Sequence, residues 1–190
     1  MRADARRNYE RLLEQARHVF SERGPDSSLD EIAHRAGVGS ATLYRHFPDR
    51  DSLIRAVVNA ECKALVDLGE RLLDHSAPLA SLTQWMRAAI AYAAAYRGLA
   101  AASMKSELDA APQSVDSWHE PTFAVGAALL RQAQHAGVVR SDIQTVDALR
   151  MVIAIAWATA QPAVSGSGLE HTELPDRLLH LLLDGLRPDI

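Results

Sequence analysis

The chain has 190 residues, 48% of them hydrophobic and 23% charged, a composition typical of folded proteins that bury one sizeable core or two smaller ones. No apolar run reaches the roughly 18 residues that a membrane-spanning helix needs, and the N-terminal MRADARRNYERLLEQ lacks the apolar core of a signal peptide. The single cysteine, Cys62, excludes an internal disulfide framework, and we interpret it as a small apolar filler. We therefore expect a cytoplasmic protein without a membrane partner.

The net charge of −4 argues at first against a nucleic-acid partner, but the acidic excess lies outside the N-terminal region, residues 1–50. Residues 1–50 contain nine arginines against eight acidic residues, so they are locally balanced. Attraction to phosphate depends on local cations rather than on total charge. Arg2, Arg6 and Arg7 fit either a basic arm on the DNA backbone or a frayed, solvated terminus.

Hydrophobic periodicity predicts an all-α fold of about nine helices, because apolar residues recur at helical spacing and no segment alternates like a strand. The first helix covers about residues 3–23, two short helices follow within residues 29–47, and a long helix begins at Asp49 or Asp51 and ends near Leu73. Further helices are predicted at about 79–96, 99–110, 121–136, 142–160 and 172–186. We divide the chain into a domain of residues 1–48 and an all-helical domain of residues 49–190.

The segment LDEIAHRAGVGSATLYRHFPDRDSL, residues 29–53, has the pattern of a helix-turn-helix. Gly37 follows a short amphipathic helix at the point where a left-handed backbone allows the chain to reverse. Leu43 and Phe47, four residues apart, give the next helix its buried side. This motif places its second helix in the major groove of DNA.

The outward side of this second helix supplies the candidate DNA contacts. Thr42 has a hydroxyl and a methyl group for base edges, and Arg45 can reach guanine or phosphate. Tyr44 and His46 have the reach for phosphate oxygens, which set register without reading sequence. Backbone N–H groups at the Ser28 cap could bind one more phosphate. The full set of expected DNA-binding residues is Ser28, Ser40, Ala41, Thr42, Tyr44, Arg45, His46 and Arg50.

The string FSERG followed by LDEIAHRAGVGSATLYRHFPDRDSL closely resembles the TetR family of bacterial regulators, with the match running from about Leu12 to Val58. The resemblance implies a homodimer that binds a palindromic operator through its N-terminal domains, represses, and is released by a small molecule in the C-terminal core. Many members of the family have lysine where this chain has Ser40. Arg45 is therefore hypothesised to carry more of the sequence specificity here.

The last two predicted helices resemble those that usually form a four-helix dimer interface in this family. Each is apolar around more than half of its circumference, which requires cover on two sides. The expected interface residues are Ile143, Val146, Leu149, Val152, Ile153, Trp157, Leu178, Leu182 and Leu186.

A ligand pocket is predicted around an alanine-rich helix whose large residues recur on one side. Small residues opposite aromatic ones leave room for a largely apolar effector, with tyrosine hydroxyls as polar contacts. The alternative interpretation is that these side chains simply pack on each other in the core. The candidate residues are Trp85, Met86, Ala89, Tyr92, Tyr96, Met104, Trp118, Phe123 and Trp157.

The sequence leaves two other functions to consider, an enzyme and a regulator without a ligand. His119-Glu120 and similar pairs lack the spacing of a metal or acid–base site, so we expect no enzyme activity, no catalytic or metal-binding residues and no cofactor. The remaining alternative is a constitutive or protein-controlled DNA-binding regulator without a small-molecule ligand.

Overall fold

The computed structural model describes residues 2–95, 120–159 and 173–188, and the regular elements in these ranges are all α-helices, which confirms the predicted fold class. Each of these helices is too short or too polar to cross a membrane. The predicted helix at about 99–110 lies outside the described residues. The helices are α1 (Arg2–Arg23), α2 (Leu29–Arg35), α3 (Ser40–His46), α4 (Arg50–Leu73), α5 (Pro78–Ala95), α6 (Glu120–His135), α7 (Thr145–Thr159) and α8 (Leu174–Gly185).

The chain forms two compact units, and the boundary between them falls inside α4, after Glu61. The first unit therefore extends beyond residue 48, where the sequence placed the domain boundary. The reason is that the first half of α4 has its own buried residues, among them Leu53 and Val57. An ion pair of 2.5 Å from Arg17 on α1 to Glu61 also holds this half of α4 in the first unit.

In the first unit α1 packs on α2 and α2 packs on α3. Their buried side chains come from the apolar stripes that the sequence displays at helical spacing. This core contains Leu12, Ala16, Val19, Phe20, Leu29, Ile32, Ala33, Ala36, Leu43 and Phe47 from the three helices and their junctions.

The turn between α2 and α3 depends on Gly37, which has a φ of +65°. An L-residue with a side chain rarely adopts this left-handed conformation, whereas glycine does so without strain. The turn then closes through a hydrogen bond of 3.0 Å from the Val38 N–H to the Ala33 carbonyl. The predicted reversal at this glycine is therefore present, and it fixes the direction in which α3 leaves α2.

The start of α4 is fixed by Asp49, which precedes its first residue. Its Oδ1 accepts a hydrogen bond of 2.7 Å from the Ser52 N–H, and its own N–H donates to Ser52 Oγ at 3.3 Å. These two bonds satisfy backbone donors that the first helical turn leaves without partners.

The second unit is built around Trp85 on α5, which is only 1% exposed. Its Nε1–H donates a hydrogen bond of 3.1 Å to the Leu65 carbonyl of α4. Two glycines allow the indole to lie directly against neighbouring backbones, because a Cβ on Gly126 would lie 2.6 Å from Trp85 Cη2 and one on Gly69 would lie 3.1 Å from Trp85 Cδ1. The core of this unit is therefore close-packed at this point.

Candidate nucleic-acid interface

The helix α3 presents one buried and one exposed side. Leu43 and Phe47 are buried, as the four-residue spacing predicted. Ala41, Tyr44 and Arg45 are exposed. Two further candidates, Thr42 and His46, are half-buried at the border between the two sides, as is Ser40. The structure thus brings six of the eight candidate DNA-binding residues onto one seven-residue helix.

Ser28 caps α2, and its hydroxyl oxygen accepts a hydrogen bond of 3.4 Å from the Glu31 N–H. In a capping box the Ser28 N–H would donate a reciprocal bond to the Glu31 carboxylate, but here that carboxylate forms ion pairs. That carboxylate binds Arg23 at 2.7 Å and Arg35 at 2.9 Å. Ser28 therefore fixes the start of α2 and stays exposed.

Arg50 lies at the first position of α4, but its guanidinium is used within the first unit. One of its nitrogens, Nη1, donates to the carbonyls of Pro25 and Ser27 at 2.6 and 2.5 Å. The side chain is half-buried and ties the start of α4 to the loop between α1 and α2. Arg50 was among the expected DNA-binding residues; the structure shows that its Nη1 binds two backbone carbonyls, and a contact with DNA stays a prediction.

The first unit neutralises many of its arginines internally, and Arg45 is an exception. Arg6, Arg7, Arg17, Arg23 and Arg35 all form ion pairs with acidic residues. Arg45 is exposed on α3 and makes no ion pair or side-chain hydrogen bond with any described residue. Its guanidinium is therefore available to an anionic partner.

Sequence reasoning missed two residues that contact this helix. Tyr9 of α1 places its ring 5.1 Å from that of Phe47 and 5.9 Å from that of His46 in an edge-on contact. Its position three residues before Leu12, on the apolar stripe of α1, was the signal that could have found it. Asp30 of α2 accepts a hydrogen bond of 2.5 Å from the Ser40 hydroxyl, and this contact across ten residues left no signal in the sequence.

The predicted ligand-binding residues in the second unit are only partly brought together. Trp85, Met86 and Ala89 are buried in its core, and the half-buried Tyr92 has its hydroxyl 3.3 Å from Cys62 Sγ. The side chains of Phe123 and Trp157 are 44% and 54% exposed. Tyr96, Met104 and Trp118 lie outside the described residues.

An open groove of about 960 Å³ lies elsewhere in the second unit, between the start of α5 and the end of α8. Its cations have partners, because Arg87 pairs with Asp176 at 2.6 Å and Arg187 pairs with Asp184 at 3.6 Å. The predicted pocket residues that the structure describes do not line this groove. Its walls are formed by Ala77, Pro78, Leu79, Ala80, Thr83, Gln84, Arg87, Val138, His180, Leu183, Asp184 and Arg187.

The helices expected to form a dimer interface, α7 and α8, pack on each other, and each has an apolar exposed side. Val146, Ile153 and Trp157 are exposed on α7 at helical spacing. Ile143, before α7, and Leu178 and Leu182 on α8 are half-buried. Leu149, Val152 and Leu186 are instead buried in the core of the unit, so they have little surface left for a partner. Leu181, at 67%, is the most exposed large apolar side chain of α8.

Comparison with known proteins identifies both parts of the chain. Residues 12–57 match the family model of bacterial regulatory proteins, tetR family, and residues 77–188 match that of the C-terminal domain of SbtR-like transcriptional regulators. An HTH-type transcriptional regulator of Staphylococcus aureus strain USA300 is 35% identical over 75 residues. That match spans 39% of this chain and 40% of the length of the relative.

Solved structures extend the similarity over nearly the whole chain. A TetR transcriptional regulator of Streptomyces coelicolor is 35% identical, with a TM-score of 0.78 over 95% of this chain and 99% of that one. LfrR of Mycobacterium smegmatis, a TetR-like regulator solved in complex with proflavine, shares the fold with a TM-score of 0.68 at 19% identity, over 97% of this chain and 98% of that one. The match of the C-terminal family model, together with the similarity to the Streptomyces protein, shows that the chain belongs to the TetR family of bacterial regulatory proteins.

Proposed function

We propose that this chain is a cytoplasmic transcriptional regulator that binds DNA through α3 and acts by binding rather than by catalysis. The observation that carries the proposal is the exposed side of α3. There Arg45, which has no ion-pair partner among the described residues, lies beside Ala41 and Tyr44, while Leu43 and Phe47 anchor the helix. Membership of the TetR family supports it. Among the described residues, no group of three or more His, Cys, Asp or Glu side chains is placed to hold a metal ion.

The second part of the proposal is a homodimer that binds a palindromic operator and represses transcription. Two copies of α3 must reach half-sites roughly 34–36 Å apart, which a symmetric dimer achieves. The exposed apolar residues of α7 and α8 support this assignment, because an apolar side that the described residues leave uncovered is typical of a surface that binds a second protein. The expected partners are therefore double-stranded operator DNA and a second copy of the chain.

The third part is release by a small, largely apolar effector bound in the second unit. Tyr92 and Ala89 on α5 are the described candidates with a polar hydroxyl and a small side chain, respectively. The complex of LfrR with proflavine shows that one protein of this fold holds a small aromatic molecule. The alternative, a regulator without an effector, is favoured by one observation: Trp85 fills the space against Gly126.

The test is a selection of operator sites from random DNA duplexes at low salt, repeated with candidate effectors added. We expect a palindromic site whose complex dissociates in the presence of one effector class. Failure to enrich any palindromic site would contradict DNA-binding regulation by this chain. An operator that no effector releases, together with unchanged thermal stability in their presence, would favour the regulator without a ligand.

A further inference from the structure

We infer that Asp30 and Ser40 form a single acceptor site for base edges, which selects adenine or cytosine at one position of each half-site. The inference rests on the proposed function, because it requires α3 to lie in the major groove. Its structural basis is the hydrogen bond of 2.5 Å from Ser40 Oγ to Asp30 Oδ1, which links the first residue of α3 to the first turn of α2.

The direction of this hydrogen bond follows from the two groups. A carboxylate oxygen only accepts, so the Ser40 hydroxyl must be the donor. A serine hydroxyl has one hydrogen and two acceptor lone pairs. Once the hydrogen is committed to Asp30, Ser40 can only accept from a third group.

The position of Asp30 and Ser40 indicates that the third group is the edge of a DNA base. Ser40 is half-buried at the N-terminal end of α3, the end at which a recognition helix approaches base edges. Asp30 is exposed, and its second carboxylate oxygen makes no hydrogen bond or ion pair with any described residue. The two side chains thus offer acceptors only.

Base edges in the major groove respond differently to such a site. Only the amino groups of adenine (N6) and cytosine (N4) donate hydrogen bonds there, whereas guanine O6 and N7 and thymine O4 accept. If an acceptor of the pair faces a base acceptor, both groups lose water without gaining a hydrogen bond, and this makes the binding free energy less favourable. A guanine or thymine at the contacted position is therefore rejected by the same pair that binds adenine or cytosine.

The experiment compares the selected operators of the wild type with those of Ser40→Ala, Asp30→Ala, Asp30→Asn and Glu14→Gln. The wild type is expected to require adenine or cytosine at one position, and Ser40→Ala to reduce that preference about fivefold, the size of one net hydrogen bond. Asp30→Ala frees the hydroxyl hydrogen, so guanine or thymine becomes tolerated at the same position. Asp30→Asn keeps an acceptor oxygen for the Ser40 hydroxyl but puts an N–H donor in place of the second carboxylate oxygen, so it is expected to keep only the part of the preference that Ser40 contributes.

Glu14→Gln is the charge control, because Glu14 is an exposed carboxylate of α1 that makes no ion pair with any described residue. It is expected to leave every base preference unchanged. Preferences that shift equally in Glu14→Gln and Asp30→Ala would reflect charge alone and overturn the inference. The inference would also be overturned if Ser40→Ala and Asp30→Ala both selected the same operator as the wild type, with the same base preferences. Failure of the wild type to select any site would instead overturn the proposed function and this inference together.

Discussion

At the scale of single residues, the first unit uses some of its arginines to hold its helices together and leaves Arg45 for the proposed contact with DNA. Arg50 donates to two backbone carbonyls, and Arg17 pairs with Glu61, so both are used to hold helices in place. Arg45 has no such partner among the described residues and is exposed. Because the fold does not use this guanidinium, its replacement is expected to change stability little.

Arg45→Ala is therefore expected to weaken operator binding while leaving the fold intact. The loss is expected to be about 1–3 kcal/mol if the guanidinium contacts guanine, with relaxed preference at that base. Operator titration of the variant measures it. The matched control is Arg71→Ala, which removes an exposed arginine of α4 in the second unit and is expected to bind as the wild type does. Equal affinity and equal selectivity of Arg45→Ala and wild type would contradict the role of Arg45.

Asp49 gives a pH-dependent prediction at the same scale. Hydrogen bonds from the Ser52 backbone and side chain hold the pKa of the Asp49 carboxyl below its ordinary value. A lowered folded-state pKa means that the ionised cap stabilises the fold above the unfolded pKa, and that this stabilisation is lost as the pH falls through the folded pKa. Asp49→Ala is expected to lower the free energy of unfolding by about 1 kcal/mol at neutral pH.

Urea unfolding of wild type and Asp49→Ala, at neutral pH and again at a pH below the folded-state pKa of Asp49, checks this prediction. The difference between the two proteins is expected to shrink in acid. Asp51→Ala removes a neighbouring carboxylate in the first turn of α4 that makes no capping hydrogen bond within the described residues, so its loss is expected to be smaller. A difference for Asp49→Ala that persists in acid would contradict the capping explanation.

The sequence predicted residue positions better than residue partners. Leu43 and Phe47 could be placed because their spacing alone determines which side of α3 they share. The guanidinium of Arg50 could not be placed, because its acceptor on Pro25 lies 25 residues away in the chain. The hydrogen-bond partner of a long polar side chain depends on which distant segments the fold brings near it, and helical periodicity carries no information about those segments.

At the scale of elements, the packing of α5 against α6 depends on the absence of a side chain. Gly126→Ala would place a Cβ 2.6 Å from Cη2 and 2.9 Å from Cζ3 of Trp85. The indole is held by its bond to the Leu65 carbonyl, so it cannot move aside freely. We expect a loss of about 1–3 kcal/mol in the free energy of unfolding, the usual effect of overpacking.

A double-mutant cycle with Trp85→Phe isolates this contact. The atoms Cη2 and Cζ3 belong to the outer, six-membered ring of the indole, and the smaller ring of phenylalanine does not extend to their positions. Gly126→Ala is expected to cost less in the Trp85→Phe background than in the wild type, as measured by urea unfolding of all four proteins. Additive losses would show that the clash with Trp85 is not the cause.

Element boundaries were predictable where local chemistry sets them. Gly37 ends the α2 region, and Asp49 precedes α4, as turn and capping preferences predict. The predicted helix at 142–160 begins later, at Thr145, because Ile143 is held in the preceding loop, where its carbonyl accepts from Gln134 Nε2 at 2.9 Å. That contact comes from α6, nine residues earlier, and competes with extension of the helix.

At the scale of the whole molecule, the two apolar helices α7 and α8 illustrate what composition cannot resolve. A helix that is apolar nearly all round needs two covering surfaces, here the core of its own unit and, as proposed, a partner chain. The sequence does not say which side of the helix faces the core and which faces the partner. The structure assigns Val152 and Leu186 to the core of the second unit and leaves Ile153 and Leu181 exposed. The candidates for a dimer interface are therefore the exposed residues of the two helices.

Ile153→Glu and Leu181→Glu are expected to convert the proposed dimer into a monomer without unfolding it. Both side chains are exposed in the single chain, at 44% and 67%, so a carboxylate there stays hydrated in the monomer but would be buried without a partner in a dimer. Light scattering at micromolar concentration measures the mass. Operator affinity is expected to fall by about 100-fold or more, because each half-site then binds one chain independently.

The matched control is Ala64→Glu, which adds the same charge at an exposed position of α4 and is expected to preserve both the dimer mass and operator binding. Thermal unfolding separates loss of assembly from loss of fold, since the variants must still unfold cooperatively. A wild-type mass equal to that of one chain, or dimers that persist in both glutamate variants, would contradict this interface. Loss of operator affinity with the dimer mass retained would show that the two helices affect DNA binding by some other route than assembly.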